Sequence, residues 1–513
     1  MMRNQKIFPL FVLGFLLIVL TACSAQSLDP NEPTVQGRPI SSYYVDTCSG
    51  CHGPTRQGGT GPALLPQRLT QSDEYYFDII QNGKSNTVMP PWGAMLSDED
   101  INTLIAFLHD ESSEIESTWE LEDIQNSLEI LVLDDELPTA QTHAANLGNL
   151  MLVTEREVQS IAVIDGDTHE LISHIPASYR AHGYTFDPTN ERWAYNMGRD
   201  GWVFKIDLFN LQPIRKVRVG LDARGIAISD DGRYLITGNY IPATAVILDA
   251  KTLEPVNVIS AQTTNPEGEQ VDSRISIVSD VSPDLIGPYF ILGLKEAGQV
   301  WRVDWSDAEF PVEKVKNVGH ILHDGFLNSD NTHFYIASQE DNWMGVIDVE
   351  NWELVEKIET GIKPHPGSGA IWEVAGVEYG ATVHAGEGKV TIWNLANNEI
   401  VGDVETAGAG LFVRSSHNSP YVWADAVFAE EPHNITVFEK SPPFNVVGHI
   451  TEGVRTLHPE FTADGNFVYI SDWDGNAVRV YDAVTLEMVA EIEGVETPTG
   501  IFNTSRRSET LGH

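Results

Sequence analysis

Ala245-Val-Ile-Leu-Asp249-Ala-Lys-Thr252-Leu-Glu254 reads as a short strand ending on an acid, a tight turn with Thr-x-Glu, and the start of a second strand. An acid there can accept hydrogen bonds from the turn amides. The strand-acid signature recurs at Val163-Ile164-Asp165, Lys205-Ile206-Asp207, Arg302-Val303-Asp304, Val346-Ile347-Asp348 and Val480-Tyr481-Asp482. Ile392-Trp393-Asn394 and Val437-Phe438-Glu439 carry near relatives of it, and Thr168 and Thr485 open the same Thr-x-Glu turn. The spacing averages about 45 residues, and four short strands per repeat of that length mark a propeller blade. Eight repeats predict an all-β eight-bladed propeller over residues 143–513. The step from Asp249 to Asp304 is longer and predicts an inserted loop. Ile501-Phe502 is expected to return and complete the first blade, because closing the ring removes exposed ends.

Composition narrows the function. The 513 residues carry 31 basic and 74 acidic side chains, a net charge of −43. That argues against a nucleic-acid binder, which needs basic patches to neutralise phosphate. It disfavours binding to anionic lipid and permits a cationic partner, such as a basic electron-transfer protein.

The first 36 residues stand outside the fold. Arg3 and Lys6 precede an apolar run from Ile7 to Leu20, too short for a comfortable membrane span. Leu20-Thr21-Ala22-Cys23 then resembles a bacterial lipoprotein signal, giving a signal peptide over 1–22, lipid on Cys23 and a flexible tether over 23–36. An exported chain with one further pair of cysteines has no disulfide framework and uses that pair otherwise. Cys48-Ser-Gly-Cys51-His52 is the pattern of covalent c-type heme attachment, with His52 as proximal iron ligand. A redox dithiol or a zinc half-site requires no adjacent His, and no other Cys remains to complete a zinc site. Helices are predicted from Ser72 to Gln81 and from Ser97, the latter with an apolar stripe of Ile101, Leu104, Ile105 and Leu108. Met89, in the Pro-rich Val88-Met89-Pro90-Pro91-Trp92, resembles the sixth iron ligand of a small class I cytochrome c, with Met95 as the competitor. Residues 37–115 therefore read as a small all-α cytochrome c domain. Residues 116–142 form an acidic linker with one apolar run, Leu128 to Leu133.

Four histidines lie between successive repeat markers, where blades meet the axis: His182, His323, His365 and His458. One such histidine is usually structural; several at equivalent places in a ring converge on the central channel. Here the chain resembles cytochrome cd1 nitrite reductase and its relatives. The resemblance rests on Thr154-Glu-Arg-Glu157, Tyr179-Arg-Ala-His182, Gly198-Arg-Asp-Gly201, Asp222-Ala-Arg-Gly225, Leu294-Lys-Glu296, Leu322-His-Asp-Gly325, Pro364-His-Pro-Gly367 and Thr497-Pro-Thr-Gly500, in this order. It implies a non-covalent heme d1 on the propeller axis, with His182 as its proximal ligand. It implies that the catalytic His323 and His365 lie on the distal side and donate protons, their pKa values being near neutrality. Arg156, Arg199 and Arg224 would face the macrocycle's carboxylates through bidentate hydrogen bonds, and His458 would line the same pocket. Arg192 and Arg233 read instead as surface ion pairs.

Relatives of this kind reduce nitrite to nitric oxide, or dehydrogenate a side chain of the heme d1 precursor in the last step of its assembly. A third kind lacks the cytochrome, which Cys48, Cys51 and His52 disfavour. The distal histidine pair places nitrite reduction first. The ending Gly500-Ile-Phe-Asn-Thr-Ser505-Arg-Arg, His458 and the lipid anchor point to the assembly dehydrogenase as the alternative. A plain c-type electron carrier with a propeller binding module and no heme d1 is a second alternative. The expected partners are nitrite or the precursor and a small soluble electron-transfer protein, in the periplasm. The family's reductases are commonly homodimers, but no dimer face is legible.

Overall fold

The computed structural model describes residues 32–53, 56, 58, 61–84, 89–110 and 118–508. The expected signal peptide, the lipid-bearing Cys23 and tether residues 24–31 lie outside these. The tether is shorter than expected. Thr34–Val35 pairs with Arg38–Pro39, and Val35 is buried against the cytochrome core, because an apolar side chain there has a ready-made surface to cover.

Among the described residues, four α-helices make the cytochrome domain: Ile40–Thr47, Ser49–His52, Asp73–Asn82 and Asp98–His109. Ser72 caps the third, and Ser97 with Asp100 forms a capping box on the fourth. The stripe Ile101, Leu104, Ile105 and Leu108 is buried, as are Tyr43 and Tyr44 of the first helix. The acidic linker is more structured than its composition suggests. Leu121–Ser127 is helical, with Ile124 packed against the propeller, and Glu129–Ile130 adds a fifth strand to Gln212–Arg218.

The rest is an eight-bladed propeller of four-stranded antiparallel sheets. Inner to outer, the second blade runs 181–218, the third 222–260, the fourth 275–315 and the fifth 322–359. The sixth runs 364–405, the seventh 413–450 and the eighth 456–493. The first blade takes Leu150–Glu155, Ser160–Asp165 and Leu171–Pro176 from the start, and its inner strand, Pro498–Asn503, from the end of the propeller. The long step after Asp249 holds an extra hairpin, Gln262–Thr264 with Gln270–Asp272.

The marker acids do structural work. Asp249 accepts the Thr252 amide at 2.7 Å, Asp348 that of Asn351 at 2.8 Å, and Asp482 that of Thr485 at 2.8 Å. Between blades the sheets bury both faces, with Trp301, Trp393 and Trp423 wholly enclosed. The closure strand gives a test. Ile501 and Phe502 are buried and paired to Val153 and Leu152. Burying each contributes about 1.5–3 kcal/mol, before the ladder hydrogen bonds. Truncation after Thr497 should therefore abolish the cooperative thermal transition of the propeller, followed by circular dichroism. An unchanged transition would mean that the ring closes some other way.

Candidate active site

In a four-stranded blade, the loop entering the inner strand and the turn joining the second and third strands lie at the same end of the ring. The turns of the marker acids lie at the opposite end. All the candidate residues fall at the first end. His182, Arg224, His323, His365 and His458 are on inner strands, while Arg156 and Arg199 are in second-to-third-strand turns. The sequence aims the inner-strand side chains by a shared device. The ladder slips at His182, at Arg224, at His323 with Asp324, and at His458 with Pro459. It slips again between His365 and Ala370. Such bulges re-aim side chains and gather beside functional sites. His182, on the second blade, and His365, on the sixth, sit at the starts of inner strands on opposite sides of the ring.

His323 and His365 come together, ring centroids 4.8 Å apart. Asp324 lies between them, with Oδ1 2.8 Å from His323 Nδ1 and Oδ2 3.5 Å from His365 Nε2. Arg224 closes the cluster, 2.8 Å from His323 Nδ1 and 2.9 Å from Asp324 Oδ1. Two histidines and a carboxylate at this spacing could hold a metal ion. The Arg224 guanidinium already neutralises the carboxylate, so a small cation gains little here. Burial opposes ionisation of Asp324, but Arg224 and then the two imidazoles outweigh it and hold the carboxyl well below its usual range.

The histidines differ from expectation. Burial pushes His323 well below the ordinary imidazole range, reinforced by Arg224, and burial pushes His365 down as well. They are neutral near pH 7 rather than poised to donate. His365 Nδ1 donates to the Leu411 carbonyl at 2.9 Å, so its Nε2 carries the lone pair. His458 has the other tautomer, its Nδ1 accepting the Ile501 amide at 3.2 Å. Phe412 stands between the two rings, at 6.2 Å from His365 and 4.1 Å from His458. The pocket thus holds one fixed proton acceptor and one fixed donor.

The three expected arginines do not share one wall. Arg224 belongs to the histidine cluster. Arg199 lies 3.0 Å from Asp222 and 4.6 Å from the Tyr240 ring centre. Arg156 stacks at 5.1 Å on Trp473 and stands 3.8 Å from Glu157, which also takes Arg180 at 3.2 Å. Burial, with Arg180 adding to it, brings the Arg156 guanidinium down to about 10. Asp222 and Glu157 each face more than one cation, so the wall has positive charge to spare. That fits an anionic macrocycle with several carboxylates. Arg192 makes an ion pair as expected, but with the wholly buried Asp207, at 2.7 Å; Arg233 pairs with its neighbour Asp231.

The c-type site is equally ordered. Cys48 and Cys51 are not joined by a disulfide. His52 Nδ1 donates to the Pro62 carbonyl at 2.8 Å, leaving Nε2 to ligate iron. Gly61 presses on that ring, where a Cβ would come within 2.8 Å of Cε1. These residues fit a covalent heme held by Cys48 and Cys51. Met89 is half-buried beside Gly83, whereas Met95 is 57% exposed. Met89→Ala should shift the heme c reduction potential downward by more than about 100 mV, since thioether ligation raises it. An unaltered potential in a redox titration would move the ligand to Met95 or elsewhere.

Sequence reasoning missed Asp324, Tyr240, Arg274 and Lys295. Burial alone would raise the Tyr240 phenol, but Arg224, Arg199, Lys295 and Arg274 outweigh it and hold it below its usual range. Asp324 and Lys295 sit inside segments already singled out, Leu322-His-Asp-Gly325 and Leu294-Lys-Glu296. Tyr240 carried no such signal.

Comparison with known proteins places this geometry. Residues 145–507 match the family model described as Cytochrome D1 heme domain, and 36–108 match that of Cytochrome C oxidase, cbb3-type, subunit III. The chain is 31% identical to the dihydro-heme d1 dehydrogenase of Pseudomonas aeruginosa, over 91% of this chain and 94% of that one. It is 29% identical to the nitrite reductase of Stutzerimonas stutzeri, over 95% and 96%. Among solved structures, dihydro-heme d1 dehydrogenase NirN in complex with DHE matches at 31% identity and a TM-score of 0.83, covering 91% of this chain and 99% of that one.

Proposed function

Because this chain belongs to the cytochrome D1 heme domain family, with a cytochrome c domain ahead of the propeller, we propose that it dehydrogenates a dihydro-heme d1 precursor. It is an oxidoreductase with covalent heme c and a non-covalent heme d1-type macrocycle, a class common to both relatives named above. The observation that carries the finer reading is the likeness to a dihydro-heme d1 dehydrogenase across both domains. This reverses the order drawn from the distal histidines alone, which put nitrite reduction first.

The site's proton chemistry agrees with that reversal. Nitrite reduction consumes protons, and a distal pair serving it has to supply them. Dehydrogenation of a side chain releases two protons and two electrons, and a neutral His365 with a fixed lone pair on Nε2 is built to accept a proton. His182 would hold the macrocycle's iron. Arg156 and Arg199, with His458, would orient its edge, while Arg224 holds Asp324 and His323. Heme c supplies the one-electron exit through which the electrons leave, singly, to a small soluble carrier. Export, which c-type attachment requires, and a lipid anchor at Cys23 belong to the same proposal. No helix among the described residues is long and apolar enough to cross a membrane.

The test is anaerobic. Precursor added to the oxidised, heme-c-loaded protein with an excess one-electron acceptor should give the product spectrum, with heme c passing on two electrons one at a time for each precursor converted. Nitrite added to the reduced protein carrying heme d1 should give no rapid nitric oxide. Rapid nitric oxide without precursor conversion would restore the reductase reading. If neither macrocycle binds, the propeller is a recognition module.

A further inference from the structure

The cytochrome domain does not merely rest on the propeller. It meets the end of the ring that carries the candidate site, at the first three blades. Ala63 and Leu65 pack on Leu221, and Arg218 reaches back to the Gly58 carbonyl. Within this junction two cations of the cytochrome domain reach acids that already hold pocket arginines.

The first link is Arg68. Its side chain is largely enclosed, with Nη1 donating to the Leu221 carbonyl at 2.9 Å and Nε 3.5 Å from Asp222 Oδ2. The Asp222 carboxylate is the one that pairs with Arg199 at 3.0 Å. Arg199 in turn lies over Tyr240. The second link is Lys84. It lies 2.5 Å from Glu157 Oε2, while Glu157 Oε1 holds Arg180 at 3.2 Å and Arg156 at 3.8 Å. Two separate places thus repeat one pattern: a cytochrome cation, a shared propeller acid, and pocket arginines.

We propose that Arg68 and Lys84 are positioning residues for the macrocycle site, acting through Asp222 and Glu157 on the arginines, so that macrocycle binding and docking of the cytochrome domain strengthen each other. The proposal rests on the reading above that Arg199 and Arg156 take the macrocycle's carboxylates. The physics is competition for a shared charge. Asp222 is nearly enclosed and needs a cation. With Arg68 in place, Asp222 is partly satisfied from the cytochrome side and can release Arg199 to a ligand carboxylate. Without Arg68, Asp222 holds Arg199 alone, and the ligand has to win the arginine from it. A ligand that takes Arg199 leaves Asp222 to Arg68 and tightens the junction. By linkage the two effects are equal. The electron exit is therefore best seated when substrate is bound.

The experiment uses the full heme-c-loaded chain and heme d1 itself, titrated by absorbance. Arg68→Ala should weaken heme d1 binding about tenfold, a typical size for such coupling, and Arg68→Lys should restore most of it. The heme c spectrum should not change. In an Asp222→Asn background the loss from Arg68→Ala should vanish, because the shared acid is gone. Lys84→Ala, at the less buried link, should weaken binding by a smaller factor. An equal loss from Arg68→Ala with and without Asp222 would overturn the proposal, since a merely structural residue behaves that way. So would an Arg68→Ala affinity within twofold of wild type. Arg199→Ala separates the two failures. If it weakens heme d1 binding while Arg68→Ala does not, only the coupling is wrong. If it has no effect either, the arginine reading beneath it falls as well.

Discussion

His182→Ala should remove heme d1-type macrocycle binding by at least a factor of about 100 while leaving covalent heme c in place, a loss of about 2.7 kcal/mol or more. His182 stands in the bulge of the inner strand Ala181–Phe186, where the ladder passes from Ala181 to Gly183. The preceding Arg180 has φ +49, a conformation that a non-glycine side chain seldom adopts and that functional sites tolerate. The neighbouring Gly183 packs closely on Ile226 of the third blade, so the strand cannot shift to place another donor there. Iron ligation is the one interaction an alanine cannot replace. Absorbance titration of the variant measures the loss. Undiminished affinity would mean that another residue ligates the iron.

The second large effect concerns chemistry rather than binding. His323→Ala should leave both macrocycles bound and lower precursor conversion by about 10²–10⁴, the usual scale for losing a positioned acid or base. His323, Asp324, His365 and Arg224 act as a unit: the same carboxylate oxygens meet both imidazoles and the guanidinium. The pH dependence carries a sign. A proton acceptor works in its neutral form, and burial holds both histidines below the ordinary value of about 6.5. Conversion should therefore persist into mildly acid solution and fall only below that value. A rate that rises as pH drops through 6.5 would mark the pair as proton donors, as nitrite reduction needs. A His323→Ala protein with unchanged turnover would move the chemistry elsewhere in the channel.

Legibility in the sequence followed locality. The marker acids Asp165, Asp249 and Asp482 bond their own turns, within three residues, so eight blades could be read from spacing. Cys48-Ser-Gly-Cys51-His52 is also local, and so are the caps Ser72 and Ser97. Return of Ile501-Phe502 to the first blade could be guessed because a ring has to close. What could not be read depends on partners far apart in the chain. Tyr240 matters only because Arg199, Arg224, Arg274 and Lys295 surround it. The low proton affinity of His323 comes from burial and from Arg224, 99 residues away. The tautomer of His365 is set by the Leu411 carbonyl, 46 residues on. The role of the distal pair depends on distant partners too: two histidines in turns look like donors until their surroundings are known.

The two functions differ in whether the macrocycle is substrate or resident cofactor. A dehydrogenase has to release what a reductase has to keep. The decisive measurement is the number of precursor molecules converted per heme-c-loaded protein, with excess electron acceptor and without oxygen. More than one, with product leaving the propeller, is the expected result. No conversion, with heme d1 retained through repeated turnovers of nitrite to nitric oxide, would contradict it.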